Sequence, residues 1–177
     1  MKKILRLLYL PYKWIVYIPI LIISTLVIGF LAVVLSFIAS PKVASAVAAI
    51  FWARLNSWTA PIWVTVKNRK NIDKKQSYVI VCNHQSQFDI FVIYGWLGID
   101  FKWVLKEELR KVPGLGIGCE KVGHIFIDRS KPDAAIASIN EAKSRIVNGT
   151  SIFFFPEGRR SSTGKLNPFK KGAFRIA

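Results

Sequence analysis

The stretch YVIVCNHQSQFDIFVIYGWL, residues 78–97, combines the signals of a buried strand, a polar loop and a helix. Its first five residues are apolar and rich in β-branched types, as in a short strand, and residues 88–97 continue as a helical stretch. The loop between them places His84 five positions before Asp89. On one continuous helix, side chains five apart point about 140° away from each other. The two side chains therefore meet only if the backbone bends between them.

The chain on either side of this stretch alternates in the same way between short apolar runs and helical patterns. The predicted strands are residues 62–66, 78–82, 101–105, 124–127 and 151–155. Helices are predicted at 88–97, at 132–147 and from Asn167 to Ala177, where a proline follows the first residue. Alternating strands and helices predict an α/β fold, with a mixed, largely parallel sheet flanked by helices. Because the chain stops within the last predicted helix, we expect the C-terminal part of the fold to lie beyond it.

The N-terminal region has a different character, because residues 15–39 contain no charged residue. About 20 apolar residues suffice to cross a bilayer as a helix, so a membrane segment is predicted. A cleaved signal peptide is the alternative, since Lys2, Lys3 and Arg6 precede the run. Residues 43–63 are predicted either to return across the membrane or to lie with the first helix in one leaflet. Residues 1–60 are thus interpreted as a two-helix membrane anchor that keeps the remainder on the cytoplasmic face.

The excess of basic residues limits the kinds of molecule that this chain is expected to bind. The chain of 177 residues carries 26 Lys and Arg against 10 Asp and Glu, a formal net charge of +16 at pH 7. Nucleic acid, anionic lipid and a phosphorylated substrate all fit this balance, and the membrane segment favours anionic lipid headgroups. Cys82 and Cys119, the two cysteines, are too few for a disulfide framework, so a reducing compartment is expected.

The loop with His84 and Asp89 supports two interpretations. If the bend is present, the Asp89 carboxylate accepts a hydrogen bond from the imidazole Nδ1–H and leaves Nε2 free as a general base. However, Ser86 and Asp89 also have the spacing of a capping box, in which the carboxylate only serves the helix N-terminus.

Basic residues follow two further predicted strands. Asp128 and Arg129 come directly after the strand at 124–127, and Arg159 and Arg160 follow the strand at 151–155. Ligands of open α/β sheets bind outside the carboxyl ends of the strands, so three strand ends are expected to meet there. Guanidinium groups match phosphate geometry, which predicts a phosphate-bearing ligand. The alternative is that these are solvated turns in which Glu157 is the salt-bridge partner of the arginines.

These residues fall into the motifs of a known family. The sequence resembles the 1-acyl-sn-glycerol-3-phosphate acyltransferase family of glycerolipid acyltransferases. Its motif N-H-x-x-x-x-D is matched by Asn83, His84 and Asp89, its I-D-R motif by GHIFIDR at 123–129, and its F-P-E-G-T-R-S motif by FPEGRRS at 155–161. The stretch KWVLKEELRKVPGLG at 102–116 is also similar to the family.

The resemblance implies roles for individual residues. It identifies His84 and Asp89 as catalytic, and the residues that bind substrate as Lys106, Arg129, Glu157, Gly158 and Arg160, with Glu157 orienting the arginines. Residues 61–177 would form the catalytic domain. Two departures stand out, namely Arg159 where the family usually has threonine and the absence of the family's fourth motif, which would follow residue 177.

The resemblance also implies the reaction. An acyl group passes from acyl-CoA or acyl-carrier protein to the free hydroxyl of 1-acyl-sn-glycerol 3-phosphate, giving phosphatidic acid, without a cofactor or metal. We expect a membrane location, the bacterial inner membrane or its equivalent, and no nucleic-acid partner. The alternatives are an acyltransferase of another lysophospholipid, and a membrane-tethered basic module that binds lipid without catalysis. A zinc site formed by Cys82, His84, Cys119 and His124 is a third, although their spacing fits no common zinc pattern.

Overall fold

The structure is a computed structural model. The residues that it describes are 7, 9–128, 130, 137–138, 140, 146, 149–161, 163–170 and 174.

The N-terminal region forms a helical hairpin. A π-helical turn, Lys13–Tyr17, leads into helix α1, Ile18–Ile38. Within the described part of the chain, one helical stretch, Tyr9–Ile38, is long and apolar enough to cross a membrane by length and composition, with a mean hydropathy of 2.9. The hairpin turns at Ser40, whose hydroxyl accepts a hydrogen bond from the Val43 N–H at 3.2 Å.

After this turn the chain returns as an almost continuous helix. Helix α2, Pro41–Ala44, passes through a π-helical turn, Ser45–Ala49, into helix α3, Ile50–Thr59. Polar side chains join α3 to α1, because Asn56 Nδ2 donates to Ser24 Oγ at 3.1 Å. Small polar residues often hold apolar helices together in this way.

The remainder is an α/β layer. Its elements are β1 (Val79–Val81), α4 (Phe88–Trp96), β2 (Phe101–Lys106), α5 (Leu115–Lys121), β3 (Ile125–Ile127) and β4 (Ser151–Phe154), with short 3₁₀ helices at Arg69–Asn71 and Glu107–Lys111. The four strands lie in the order β1-β4-β2-β3, and all neighbours are parallel. The predicted α/β class with a largely parallel sheet is therefore confirmed.

Apolar side chains cover both faces of the sheet. On β4, Ile152 and Phe154 belong to one cluster, whereas Phe153 belongs to another that includes Phe91 of α4 and Ala53 of α3. This alternation follows from the two-residue period of a strand. Because Ala53 lies in the sheet's own core, the hairpin packs as part of the fold.

A close backbone approach fixes α1 against the segment before α5. A Cβ atom at Gly29 would lie 2.3 Å from the carbonyl oxygen of Gly114, so only glycine allows this contact. The result is that the apolar hairpin lies directly beside the α/β layer.

Two predicted elements are wrong where the structure describes them. Residues 62–66 form no strand, since they have no ladder partner among the described residues, and Trp63 is 90% exposed. Residues 167–170 are not helical. The backbone N–H and the side chain of Asn167 donate hydrogen bonds to Glu157, which hold this segment against the turn after β4. Most of the predicted helix at 132–147 lies outside the described residues.

Candidate active site

The bend that the sequence requires is present between β1 and α4. Strand β1 ends at Val81, the loop runs through residues 82–87, and α4 begins at Phe88. Across this corner, His84 Nδ1 lies 3.0 Å from Asp89 Oδ2. The two side chains are half-buried at the carboxyl edge of the sheet, with exposed side-chain fractions of 13% and 25%.

One carboxylate oxygen of Asp89 serves both predicted purposes. Oδ2 accepts hydrogen bonds from the backbone N–H groups of Gln85 at 2.8 Å and Ser86 at 2.9 Å, in addition to the imidazole. The capping and catalytic interpretations are thus compatible. With the carboxylate ionised, His84 donates its Nδ1–H, so that the lone pair of the neutral ring lies on Nε2.

His84 is also held by a stacking contact on its ring and by a hydrogen bond to its backbone. The His84 ring stacks on Phe155, with centroids 3.9 Å apart and planes 14° from parallel. The His84 carbonyl accepts a hydrogen bond from the Ser161 N–H at 2.9 Å. Phe155 and Ser161 both lie in the predicted third motif, but the sequence did not indicate these contacts. The loops after β1 and β4 are therefore tied together around one ring.

Glu157 has a different role from the predicted one. It is 3% exposed, and its Oε1 accepts from the His84 N–H at 2.7 Å. Its Oε2 accepts from the backbone N–H of Asn167 at 2.8 Å and from Asn167 Nδ2 at 2.9 Å. Among the residues described, no ion pair joins Glu157 to Arg159 or Arg160.

The hydrogen bonds explain this placement. Donation from the His84 N–H, then from Asn167, lowers the pKa of Glu157, so its buried carboxylate is ionised and paired with N–H groups. Glu157 thus fixes the His84 loop instead of orienting arginines. Sequence reasoning missed Asn167, which was interpreted as the start of a helix.

The predicted phosphate-binding residues that the structure describes lie at or after the carboxyl ends of β2 and β4. Gly158 adopts a φ of +70°, and Arg159 and Arg160 follow it with exposed side chains. Lys106 is exposed at the end of β2. Arg129 lies outside the described residues.

The sheet order qualifies the expectation that three strand ends meet. The ends of β1 and β4 are neighbours, but β3, which precedes Arg129, is separated from β4 by β2. With strands about 4.8 Å apart, the end of β3 lies about 10 Å from that of β4. The structure therefore brings the β1 and β4 loops together and leaves the β3 end further along the edge.

An apolar groove of about 470 Å³ opens beside the corner. Gln87, the last residue of the His84 loop, lines one side of the groove. Phe91, Leu26 and Pro113 are among the residues that line the rest. The groove runs between the hairpin and the α/β layer. A long apolar chain would fit such a surface.

The second histidine, His124, lies in a separate, buried cluster. Its Nδ1 accepts from the Trp103 N–H at 3.3 Å, and its Nε2 lies 3.1 Å from the Tyr94 hydroxyl. Burial, and then the charge of Lys102, lowers the pKa of His124 to about 3. The described residues offer no group of three or more His, Cys, Asp and Glu side chains that could hold a metal ion.

The cysteines are poorly suited to act as nucleophiles. Burial raises the pKa of Cys119 to about 12. Burial, followed by the nearby charges of Asp89 and Glu157, also raises the pKa of Cys82. Both thiols therefore favour the protonated form, which is a weak nucleophile.

Comparison with known proteins gives a consistent result. The family model described as Acyltransferase matches residues 63–177. The chain is 34% identical to the chloroplastic 1-acyl-sn-glycerol-3-phosphate acyltransferase BAT2 of Brassica napus, over 71% of this chain and 36% of that protein. It is 35% identical to the human 1-acyl-sn-glycerol-3-phosphate acyltransferase alpha, over 66% of this chain and 41% of that protein.

A solved structure is similar as well. The crystal structure of the 1-acyl-sn-glycerophosphate acyltransferase PlsC from Thermotoga maritima superimposes with a TM-score of 0.75 at 29% identity. That match covers 100% of this chain and 70% of the other. The sequence alignments cover 36% of the Brassica napus protein and 41% of the human protein, so this chain spans less than half the length of these two relatives.

Proposed function

This chain belongs to the Acyltransferase family, and from that premise we propose that it transfers an acyl group from a thioester to the free hydroxyl of 1-acyl-sn-glycerol 3-phosphate. The product would be phosphatidic acid. The observation that carries the proposal is the 3.0 Å contact between His84 Nδ1 and Asp89 Oδ2 at the carboxyl edge of the sheet. The names of the relatives support the choice of substrate.

In the proposed mechanism, His84 Nε2 removes the proton from the acceptor hydroxyl. The resulting oxygen nucleophile attacks the thioester carbonyl carbon, the C–S bond breaks, and the proton passes from the imidazolium to the leaving thiolate. Asp89 stabilises the positive charge that develops on the imidazolium. Because a thioester is already activated, no covalent intermediate on the protein is needed. General base catalysis of this kind typically contributes about 10²–10⁴-fold.

The substrate phosphate would be bound by basic residues of the predicted motifs. Arg160 and Arg129 offer guanidinium groups and Lys106 offers an ammonium group, which are the side chains that phosphate binding requires. Glu157 contributes by positioning the His84 loop, since its carboxylate accepts from the His84 N–H at 2.7 Å. Gly158 adopts a φ of +70°, which favours glycine, and forms the turn that carries the arginines.

The hairpin would bring this edge to the membrane, where the lysolipid resides. The apolar stretch Tyr9–Ile38 supports membrane association, and many of its large apolar side chains are exposed, as Ile15 at 74% and Phe30 at 70%. Residues 1–60 would act as the anchor and residues 61–177 as the catalytic domain, on the cytoplasmic face. The donor would be acyl-CoA or acyl-carrier protein, both of which are thioesters.

The test is acyl transfer by the full-length protein with His84→Ala. Purified wild-type and variant protein would receive radiolabelled acyl-CoA with lysophosphatidic acid, other lysophospholipids or glycerol 3-phosphate. We expect the variant to lose about 10³-fold or more in kcat, because the general base is removed. Gln85→Ala is the matched control in the same loop, since only the backbone N–H of Gln85 contacts Asp89.

Vesicle co-sedimentation separates catalysis from lipid binding. His84→Ala should sediment with anionic vesicles as the wild type does. A basic lipid-binding module would instead acylate no acceptor and would be indifferent to position 84. Transfer by His84→Ala within tenfold of wild type would contradict the proposed mechanism.

A further inference from the structure

Lys170 lies at the candidate site although no motif identified it. Its backbone N–H donates to the carbonyl of Pro156 at 2.8 Å, which places residue 170 against the turn that follows β4. Three residues earlier, Asn167 binds the carboxylate of Glu157, which also binds the His84 N–H. Residues 167–170 are thereby held beside the catalytic loop.

The side chain of Lys170 crosses over Gly158. A Cβ atom at position 158 would lie 3.0 Å from Lys170 Cε and 3.3 Å from Lys170 Nζ. The positive φ of Gly158 already favours glycine, and the passage of the lysine is a second, independent reason for it. The ammonium group therefore lies over the turn of the third motif.

The charges around this ammonium favour an anion. In the described part of the chain, no carboxylate lies within 4.0 Å of Lys170 Nζ. The nearest acidic residue along the turn is Glu157, whose oxygens are directed inward to N–H groups. Arg159 and Arg160 follow Gly158 directly and are exposed. The edge of the turn thus presents several cations that form no ion pair with the described carboxylates.

We propose that Lys170 binds the phosphate group of the acyl acceptor, an inference that rests on the proposed function. In the acceptor, only four covalent bonds separate the reacting hydroxyl oxygen from the phosphorus atom. When that hydroxyl contacts His84 Nε2, the phosphate must lie within a short reach of the His84 loop. Glu157 accepts hydrogen bonds from the His84 N–H and from Asn167, three residues before Lys170, which places the segment that carries the ammonium next to this loop. Lysine suits the position because it binds phosphate as a compact point charge.

The test is steady-state kinetics of the full-length protein with Lys170→Met. We expect KM for lysophosphatidic acid to rise about tenfold, since a hydrogen bond to a charged group is lost, while kcat and KM for acyl-CoA change less than twofold. Lys170→Arg should restore most of the affinity because it keeps the charge. Lys74→Met, an exposed lysine in the segment before β1, is the control for the loss of one positive charge.

An acceptor without a phosphate tests whether Lys170 binds the phosphate of lysophosphatidic acid or the phosphates of acyl-CoA. With 1-acylglycerol, which lacks the phosphate, wild type and Lys170→Met should transfer equally slowly. An unchanged KM for lysophosphatidic acid, or an increase in KM for acyl-CoA instead, would overturn the assignment of Lys170 and leave the proposed function intact. A wild-type protein that acylates no lysolipid would overturn both. An unchanged thermal unfolding midpoint of Lys170→Met would exclude misfolding as the cause of a raised KM.

Discussion

The two histidines of the chain occupy opposite kinds of environment. His84 donates through Nδ1 to a carboxylate and leaves Nε2 without a hydrogen-bond partner among the described residues. His124 accepts at Nδ1 from a backbone N–H, so its neutral ring carries the proton on Nε2, where it donates to the Tyr94 hydroxyl. The same side chain is thus held in two different tautomers.

The comparison shows which features allow a histidine to act as a general base. His84 has a negatively charged partner, one free nitrogen and a partly exposed ring. Both nitrogens of His124 bind neutral groups, and the residue is 5% exposed. One therefore offers a base that can accept a proton, whereas the other completes a buried network.

The His124 network has a structural purpose of its own. The Tyr94 hydroxyl lies 2.9 Å from Ser45 Oγ and 3.1 Å from His124 Nε2. Ser45 belongs to the hairpin, Tyr94 to α4, and His124 precedes β3. The network connects the hairpin to the α/β layer through groups that are all hydrogen-bonded, as buried polar groups require.

After His84→Ala itself, the largest effect should come from removing the negative charge of Asp89 next to His84. In Asp89→Asn, the backbone N–H groups of Gln85 and Ser86 would hold the amide oxygen in place, so the tautomer of His84 is kept and only the negative charge is lost. We expect kcat for acyl transfer to fall about 10²–10³-fold because the imidazolium is no longer stabilised. Asp100→Asn, which neutralises a carboxylate next to Lys102 at the opposite edge, is the matched control. Equal kcat values for Asp89→Asn and wild type would remove the distinction between the two histidines.

A smaller effect, on stability instead of catalysis, should follow from His124→Ala. The substitution leaves the Trp103 N–H without its buried acceptor, removes a partner of Tyr94 and opens a cavity. We expect the free energy of unfolding to fall by about 3 kcal/mol, while kcat of the folded protein changes less than threefold. Denaturant unfolding in detergent measures this, with His84→Ala as the counterpart that should lose kcat and little stability. Loss of kcat without loss of stability in His124→Ala would contradict the comparison.

The smallest effect should appear as a dependence of stability on pH. The folded-state pKa of His124 is lowered from its usual 6.5 to about 3, so between these values the unfolded chain binds a proton that the folded chain does not. The stability from the neutral ring is complete above pH 6.5 and is lost as the pH falls toward 3. We expect a loss of at most about 1.4 kcal/mol per pH unit, or about 2 kcal/mol at pH 5.

Unfolding measured between pH 7.5 and 5 tests this expectation, because that range lies above the titration of most carboxylates. His124→Ala should remove this part of the slope. A slope that is the same in wild type and His124→Ala would show that the unfolded and folded chains bind protons equally at this residue.

Local patterns were enough to predict much of the fold and the strand-to-helix corner that carries His84 and Asp89. The apolar run at 78–82, the polar loop and the helix at 88–97 predicted a strand-to-helix corner, which the structure contains. The apolar run at 151–155 and the charge-free run at 15–39 predicted a buried strand and an apolar helix. Where such patterns were weak they misled, as at residues 62–66, whose apolar character does not provide a neighbouring strand.

The partners of the polar atoms depended on contacts that no local pattern contains. His84 and Glu157 are 73 residues apart along the chain and are joined by one hydrogen bond. Asn167 and Lys170 lie beside the His84 loop and Gly158 only because the segment after the third motif folds back onto that turn.

By itself, the amino-acid sequence determined the α/β class, the apolar N-terminal helix and the loop that holds an imidazole and a carboxylate, because each depends on spacing within one or two elements. Only the tertiary structure decided that Glu157 binds backbone N–H groups, that β1 and β4 are neighbours, and that the two histidines differ in tautomer. These properties depend on which donors and acceptors the folded chain brings within hydrogen-bond distance, and residues far apart in sequence supply them.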